Sequence, residues 1–259
     1  DNIDLLISDG GGGTTLTGPD TVSMLSGSAT PNTWIINATN AGTLNGIPFT
    51  GVPNLAGGTA EDNFTFENGG SLTGAVDGGS DGTNGDTIIG DDDGNAFGID
   101  AANGGTLTGK TSGFSNVENL TGGVLDDTFT FDTGGSLTGA VDGGSDGTNG
   151  DTIIGDDNGN TFGITSHDGG TLGNIANGFS NVENLTGGTD DDTFTFTDTF
   201  TLSGNIDGQG GTDTLDFANY TTAVNTVLVT VGADDGFDGT TSGTPSPIGV
   251  AFSNVNVLK

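Results

Sequence analysis

Gly69–Asp92 reads GGSLTGAVDGGSDGTNGDTIIGDD, and the same twenty-four residues return unchanged at Gly134–Asp157. An identical stretch at an offset of 65 residues marks a repeat architecture, in which one unit cannot bury its apolar side alone and stacks on the next. At its head stands Ser71-Leu72-Thr73-Gly74, a tetrad that recurs through the chain. It appears at Thr15–Gly18, Thr43–Gly46, Thr106–Gly109, Ser136–Gly139, more weakly at Thr171–Asn174, and at Thr201–Gly204. Its leucines lie 28, 28, 35, 30, 35 and 30 residues apart, so the 65-residue repeat divides into a long unit and a short one.

Each unit holds short strand-like stretches between Gly, Asp and Asn turns. The short unit runs through Asn119–Gly123, Asp127–Phe131 and Gly135–Gly139; the long unit runs through Asp86–Gly90, Asn95–Ile99 and Gly105–Gly109. Phe129 and Phe131 alternate with Thr128 and Thr130, the period of a strand with one buried face. Glu, Lys, Arg and Met, the usual helix formers, are almost missing, and 52 residues are Gly. The expected fold is all-β: a parallel β-solenoid (β-helix) of about eight coils of 28–35 residues, alternating short and long, with Phe97 near Phe131. At ~4.8 Å per coil the rod would be about 40 Å long. Asn116 with Asn181, and Asn119 with Asn184, read either as inward amide ladders or as exposed polar turns.

Residues 1–259 read as a single repeat domain. Residues 1–46 form divergent first coils, 47–217 the regular double-coil repeats, and 218–259 divergent last coils with a loop inserted at 232–247. The chain starts and stops inside repeat units, which reads as a fragment or processed segment of a longer protein, or a subunit that stacks end to end. Open strand edges must be capped, continued or paired.

The formal charge is −33, with two lysines and no arginine. Too few cations are present to neutralise phosphates, which excludes nucleic acid as a partner, and attraction to anionic lipid falls on the same ground. No apolar run is long enough for membrane insertion. With no Cys there is no disulfide framework. Lys110 and His167 are the only cationic side chains inside the repeats, and each reads as a surface variation. No catalytic residue is assigned, and the chain is not expected to be an enzyme.

The strongest local signal is Gly-Gly-x-x-x-Asp followed two residues later by an apolar side chain. It occurs at Gly57–Phe64, Gly122–Phe129 and Gly187–Phe194, with a variant at Gly208–Leu215. Here the chain resembles the RTX nonapeptide, in which glycine carbonyls and the Asp carboxylate of stacked turns hold Ca²⁺. The resemblance puts Asp62, Asp127, Asp192 and Asp213 forward as calcium ligands. Asp81, Asp86, Asp146 and Asp151 of the GGSDGTNGD loops offer further carboxylates. The fourth-position Gly is Ala60, Leu125 or Asp190, and the turns are not in tandem. The same acids also read as turns that solvate the rod and keep it from aggregating.

Together, FSNVENLTGG, DDTFTF, GSLTGAVDGG and GGTDTLDF resemble the repeat regions of giant secreted bacterial surface proteins, the RTX-like and filamentous-haemagglutinin-like adhesins. The resemblance covers about residues 40–220. It implies an extracellular or cell-surface location and a structural part in a stalk, filament or matrix, by end-to-end or lateral self-association. A calcium-binding RTX-like adhesin module is the alternative. A β-helix that binds or cleaves surface or matrix polysaccharide is a further one.

Overall fold

The computed structural model describes residues 5–7, 16–17, 24–80, 82–233 and 236–259. The Thr-Phe alternation does what its period requires: Phe129 and Phe131 are buried, Thr128 and Thr130 only partly so. Asn63–Phe66 and Thr193–Phe196 repeat the pattern. The chain buries these one-sided strands in two sheets of fourteen strands each, and no helix occurs among the described residues. Both sheets feed one continuous apolar core.

Successive segments cross from sheet to sheet. Asn54–Gly58 lies in the first, Asn63–Phe66 in the second, Ala75–Gly79 in the first and Thr87–Ile89 in the second. Neighbouring rungs reached in this way pair in parallel. The register sets apolar on apolar. Trp34, Phe64, Ile88, Leu120, Val141 and Phe179 form one column. Phe97, Phe129, Ile153, Leu185, Ile206 and Phe252 form the other. Phe97 therefore sits on Phe129, with ring centroids 4.9 Å apart, and Ile99, not Phe97, lies opposite Phe131.

The expected all-parallel coil gives way to mostly parallel sheets, because the chain folds back on itself at intervals. Among the described residues, four antiparallel meanders of three strands each occur, starting at Thr33–Ala38, Ala96–Ala101, Thr161–Ser166 and Asn225–Val231. In the second meander, Ala96–Ala101 pairs forward with Thr128–Phe131. Gly104–Leu107 runs back, and Gly113–Ser115 pairs with Ala75–Gly79 behind it. The physical cause is a tight turn. Asn40, Asn103 and Asp168 take φ of 56°, 52° and 49°, a left-handed conformation that Asn and Asp tolerate better than other side chains. Asn103-Gly104 and Asp168-Gly169 are also the dipeptides most favourable to hairpins. The segment read as an inserted loop at 232–247 contains the strand Phe237–Ser242, the middle strand of the fourth meander.

The tetrads divide accordingly. Leu44, Leu107 and Leu172 lie on the middle strands of meanders. Leu72, Leu137 and Leu202 are buried at corners, where Leu137 bridges to Ile175 and Leu202 to Ile248. These six tetrads thus take two structural positions with one sequence pattern, while Leu16 of the first tetrad lies on a strand paired in parallel with Ile47–Thr50. Asn116 and Asn181 are exposed and donate outward to Asp77 and Asp142 of adjacent rungs, at 2.8 and 2.7 Å. Asn119 and Asn184, half-buried, brace backbone N–H and C=O groups of neighbouring rungs.

Each 65-residue repeat spends seven strands in five visits to the sheets, from Ala75–Gly79 to Thr128–Phe131. Five is odd, so the next identical repeat begins on the opposite sheet: Val76 lies in the first and Val141 in the second. The repeats are thus related by a half-turn about the rod axis. With seven strands shared by two sheets, the rise is about 17 Å per repeat at ~4.8 Å per rung, and fourteen rungs span about 60 Å. The antiparallel strands add rungs without adding turns, which accounts for the excess over 40 Å.

Because the Phe97–Phe129 stack is fully buried, Phe129→Ala should cost about 3–5 kcal/mol. Leu125→Ala, at a site 45% exposed, should stay within about 0.5 kcal/mol of the parent. Urea unfolding of the two variants measures this, and equal losses would refute the inward column.

Candidate functional site: a buried carboxylate ladder

Immediately before many of the strands stands an acid or an Asn, whose side chain reaches to the backbone of a neighbouring rung or whose own N–H is reached by one. Three runs result. In the first, the N–H of Asn32 donates to Asp62 Oδ1 at 2.6 Å, that of Asp62 to Asp86 Oδ1 at 2.6 Å, and that of Asp86 to Glu118 Oε2 at 2.8 Å. The second run repeats this with Asn95, Asp127, Asp151 and Glu183, at 2.6, 2.6 and 2.7 Å. The third links Asn160, Asp192, Asp213 and Asn256, at 2.6, 2.9 and 2.9 Å. Asn32, Asn95 and Asn160 head the runs and add a side-chain amide donor to the same carboxylate. The N–H before each strand would otherwise be a buried donor without a ladder partner, which costs about 1–3 kcal/mol.

The glycine pairs make room for this. A Cβ on Gly122 would lie 2.1 Å from the Gly143 carbonyl oxygen and 2.2 Å from Asp127 Oδ2. A Cβ on Gly57 or Gly187 would lie 2.4 or 2.1 Å from Oδ2 of Asp62 or Asp192. Where the RTX resemblance reads these turns as calcium loops, the structure sets one oxygen of Asp62, Asp127, Asp192 and Asp213 on a backbone N–H. Gly188 also donates to the second oxygen of Asp192, at 2.6 Å. Asp86 and Asp151 occupy the same kind of position. Asp146 is exposed on the acidic corner, and Asp81 lies outside the described residues.

An outer row of acids accepts backbone N–H groups at the surface in the same way. Glu61 accepts from the Thr83 N–H at 2.7 Å, Asp126 from Asn149 and Gly150, and Asp191 from Thr212. Backbone donors hold the Glu61 and Asp126 carboxyls below the usual range. Burial pushes the inner acids the other way. Asp62, Asp127 and Asp192 are raised, Asp151 is pushed up to about 6 and Glu183 to about 7. Nearby Asp127, Asp146 and Asp126 add to the rise at Asp151, and Asp146 and Asp168 to that at Glu183.

Lys110 has a partner that the sequence did not suggest. It is ion-paired with the buried Asp91 and is therefore more than a surface variation. His167 is exposed; its Nδ1 lies 2.8 Å from Thr201 Oγ1 and its ring meets Phe200 edge-on. Among the described residues, one trio of acids brings an oxygen of each within 4.8 Å of the others: Asp146, Asp151 and Glu183. Glu183 and Glu118 escaped the sequence reading, as did the buried Asn32, Asn95 and Asn160. The available signal was position: all stand one residue before a strand, where the repeat elsewhere has Asp.

The raised carboxyls predict a pH dependence. The folded chain keeps protons on Asp151 and Glu183 to higher pH than the unfolded chain, whose carboxyls lose theirs near pH 4. The stability they contribute is full below about pH 4 and is lost as pH rises through about 6 to 7. In calcium-free buffer, Tm should therefore climb as pH falls from 8 to 5, and Glu183→Gln should flatten the upper part of that curve. A Tm that falls with acidification over this range would contradict the assignment. Replacing Gly122 with Ala should lower Tm sharply, whereas Gly173→Ala, where a Cβ meets nothing within 4 Å, should not.

Comparison of the chain with protein-family models, with curated proteins and with solved structures returned no match.

Proposed function

We propose that the chain is a structural protein: a stiff, acidic β-solenoid that forms part of an extracellular surface fibre, filament or adhesin stalk. The finer reading belongs to the same proposal, namely about eight sequence units of 28–35 residues alternating short and long along a rod. The observation that carries it is the continuity of the two sheets, whose ladders, apolar columns and carboxylate runs extend along the axis. A continuous rod of this kind transmits load through every rung. The location at a bacterial cell surface rests on the repeat style alone. The proposal assigns no catalytic residue.

Support for self-association comes from the two edges of the first sheet among the described residues. At one end of the first sheet lies Leu5–Ile7, and at the other Asn225–Val231. Tracing the parallel and antiparallel pairings between them leaves both strands running in the same direction. A head-to-tail contact would therefore continue the sheet in parallel, and a heterologous contact of this type builds filaments. Val227, Leu228, Val229 and Val231 are all at least half exposed on that strand. A long apolar edge is a template for pairing with another chain.

The alternative, a calcium-binding RTX-like adhesin module, is favoured by the convergence of Asp146, Asp151 and Glu183. Polysaccharide of the cell surface or matrix is the partner that the adhesin reading supplies.

Electron microscopy of the purified chain at high concentration tests assembly. Filaments are expected, and Val229→Lys should abolish them while leaving Tm unchanged. Monodisperse monomers from the unaltered chain would overturn the self-stacking reading.

A further inference from the structure

The two repeats differ in chemistry at residue 110. Lys110 stands in the turn after Gly104–Leu107, where the next repeat has Ile175. Its N–H donates to the Leu107 carbonyl at 3.1 Å, and its own carbonyl accepts from the Leu72 N–H at 2.6 Å, so the backbone beneath the side chain is fixed. The amine reaches back to Asp91. Nζ is in contact with Asp91 Oδ2; the Asp91 side chain is fully buried and that of Lys110 is 17% exposed. Asp91 follows Thr87–Ile89 in the second sheet, whereas Gly104–Leu107 lies in the first, so the pair reaches from sheet to sheet. In the next repeat Asp156 takes the place of Asp91 and is held by Asn158, whose N–H and Nδ2 donate to it at 3.1 and 3.0 Å. The fold itself therefore does not require a cation here.

We propose that Lys110 and Asp91 condense to an intramolecular isopeptide bond, which ties the two sheets together covalently. Nζ attacks Cγ of Asp91. The Nζ–Cγ bond forms, one Cγ–Oδ bond breaks, and the departing oxygen leaves as water with two protons of the former ammonium. No oxidant or co-reactant enters. Two opposite charges disappear together, which removes the desolvation cost that a buried ion pair carries. Holding both groups in contact makes the attack unimolecular. Burial of Asp91 then keeps solvent from the new amide.

Such a condensation is helped by an acid that lends a proton and takes it back. Asp127 suits that part. It is buried, and its carboxyl is raised chiefly by burial, with the charge of Asp91 adding to the rise. Asn95 ties it to Asp91, with Nδ2 at 2.9 Å from both the Asp91 main-chain oxygen and Asp127 Oδ1. The Asn95 Oδ1 accepts from the Asp91 N–H in turn, at 3.3 Å. The bond encloses the hairpin of Ala96–Ala101 and Gly104–Leu107 in a closed ring. A pull along the chain then passes from residue 91 to residue 110 without loading that hairpin. The inference rests on neither the assembly reading nor calcium, and its failure would leave both standing.

The sequence makes the test simple: apart from the terminal Lys259, Lys110 is the one residue after which trypsin can cut. The denatured full chain is weighed by mass spectrometry before and after trypsin. Expected are a mass one water below that of the sequence and no cleavage after Lys110, because an acylated lysine is not a trypsin substrate. Lys110→Ile, which copies the second repeat, should restore the full mass and lower the Tm. Asp127→Asn keeps an acceptor for Asn95 and should leave the pair unlinked, with full mass and normal cleavage. Full mass with cleavage after Lys110 in the unaltered chain would overturn the proposal and leave an ion pair only. A mass one water low with cleavage intact would overturn it too, since that marks a succinimide at an Asp-Gly step. Linkage of Asp127→Asn at the parental rate would strike Asp127 from the reaction.

Discussion

The structure depends on one contact: a carboxylate at the start of one strand accepting the backbone N–H at the start of an earlier strand on a neighbouring rung. Parallel rungs satisfy the N–H and C=O groups within strands, but the residue before each strand sits where the chain turns in from a corner. There the donor is buried and out of reach of the ladder. Asp62, Asp127 and Asp192 supply the missing acceptor, and each is itself nearly inaccessible to water. A chain carrying a formal charge of −33 thus places a share of its acids inside, which is unusual unless they are paired. The pairing is with backbone amides, and the cost shows in carboxyls pushed upward by burial.

Most of the remaining architecture serves that contact. The Gly pairs bring one rung's backbone within reach of the next rung's carboxylate, and a Cβ at Gly143 would overlap both the Asn181 carbonyl and Asp151. The Phe, Ile and Leu columns hold rungs in register, so that each acid meets its amide. Meanders let the chain fill several rungs before it crosses over, and the odd number of visits per repeat turns each repeat through half a revolution. Identical sequences therefore present identical acidic corners on opposite sides of the rod. Asp81 and Asp146 belong to such a pair of corners in sequence, though Asp81 lies outside the described residues.

The half-turn also bears on how divergence between repeats acts. Asn103 and Asp168 have the same backbone and accept from the same neighbouring N–H, so either residue is tolerated by the fold. What changes is the charge facing the neighbouring Glu. Lys110 and Ile175 form a second such pair: one neutralises buried Asp91, while in the other repeat Asp156 is braced by Asn158 instead. Small departures from an exact repeat are where local chemistry enters an otherwise mechanical scaffold.

Much of this was legible in the residues. The period of 65, the two-residue alternation of Thr and Phe, and the scarcity of helix formers determined an all-β repeat with stacked apolar rows, because each follows from local geometry and burial. The acids before Phe64, Phe129 and Phe194 were visible as a pattern, although not the N–H groups that they serve. The tertiary structure decided the rest. Asn103-Gly104 favours a tight turn in either a corner or a hairpin, and the antiparallel pairing of Ala96–Ala101 with Gly104–Leu107 makes it a hairpin. Whether Leu107 and Leu137 are equivalent depends on strand direction, which four shared letters do not encode. The meeting of Asp146 with Glu183 spans 37 positions and a change of sheet, so no local spacing announces it. Contacts within a rung belong to the sequence; contacts between rungs belong to the register, and register is set by the whole stack.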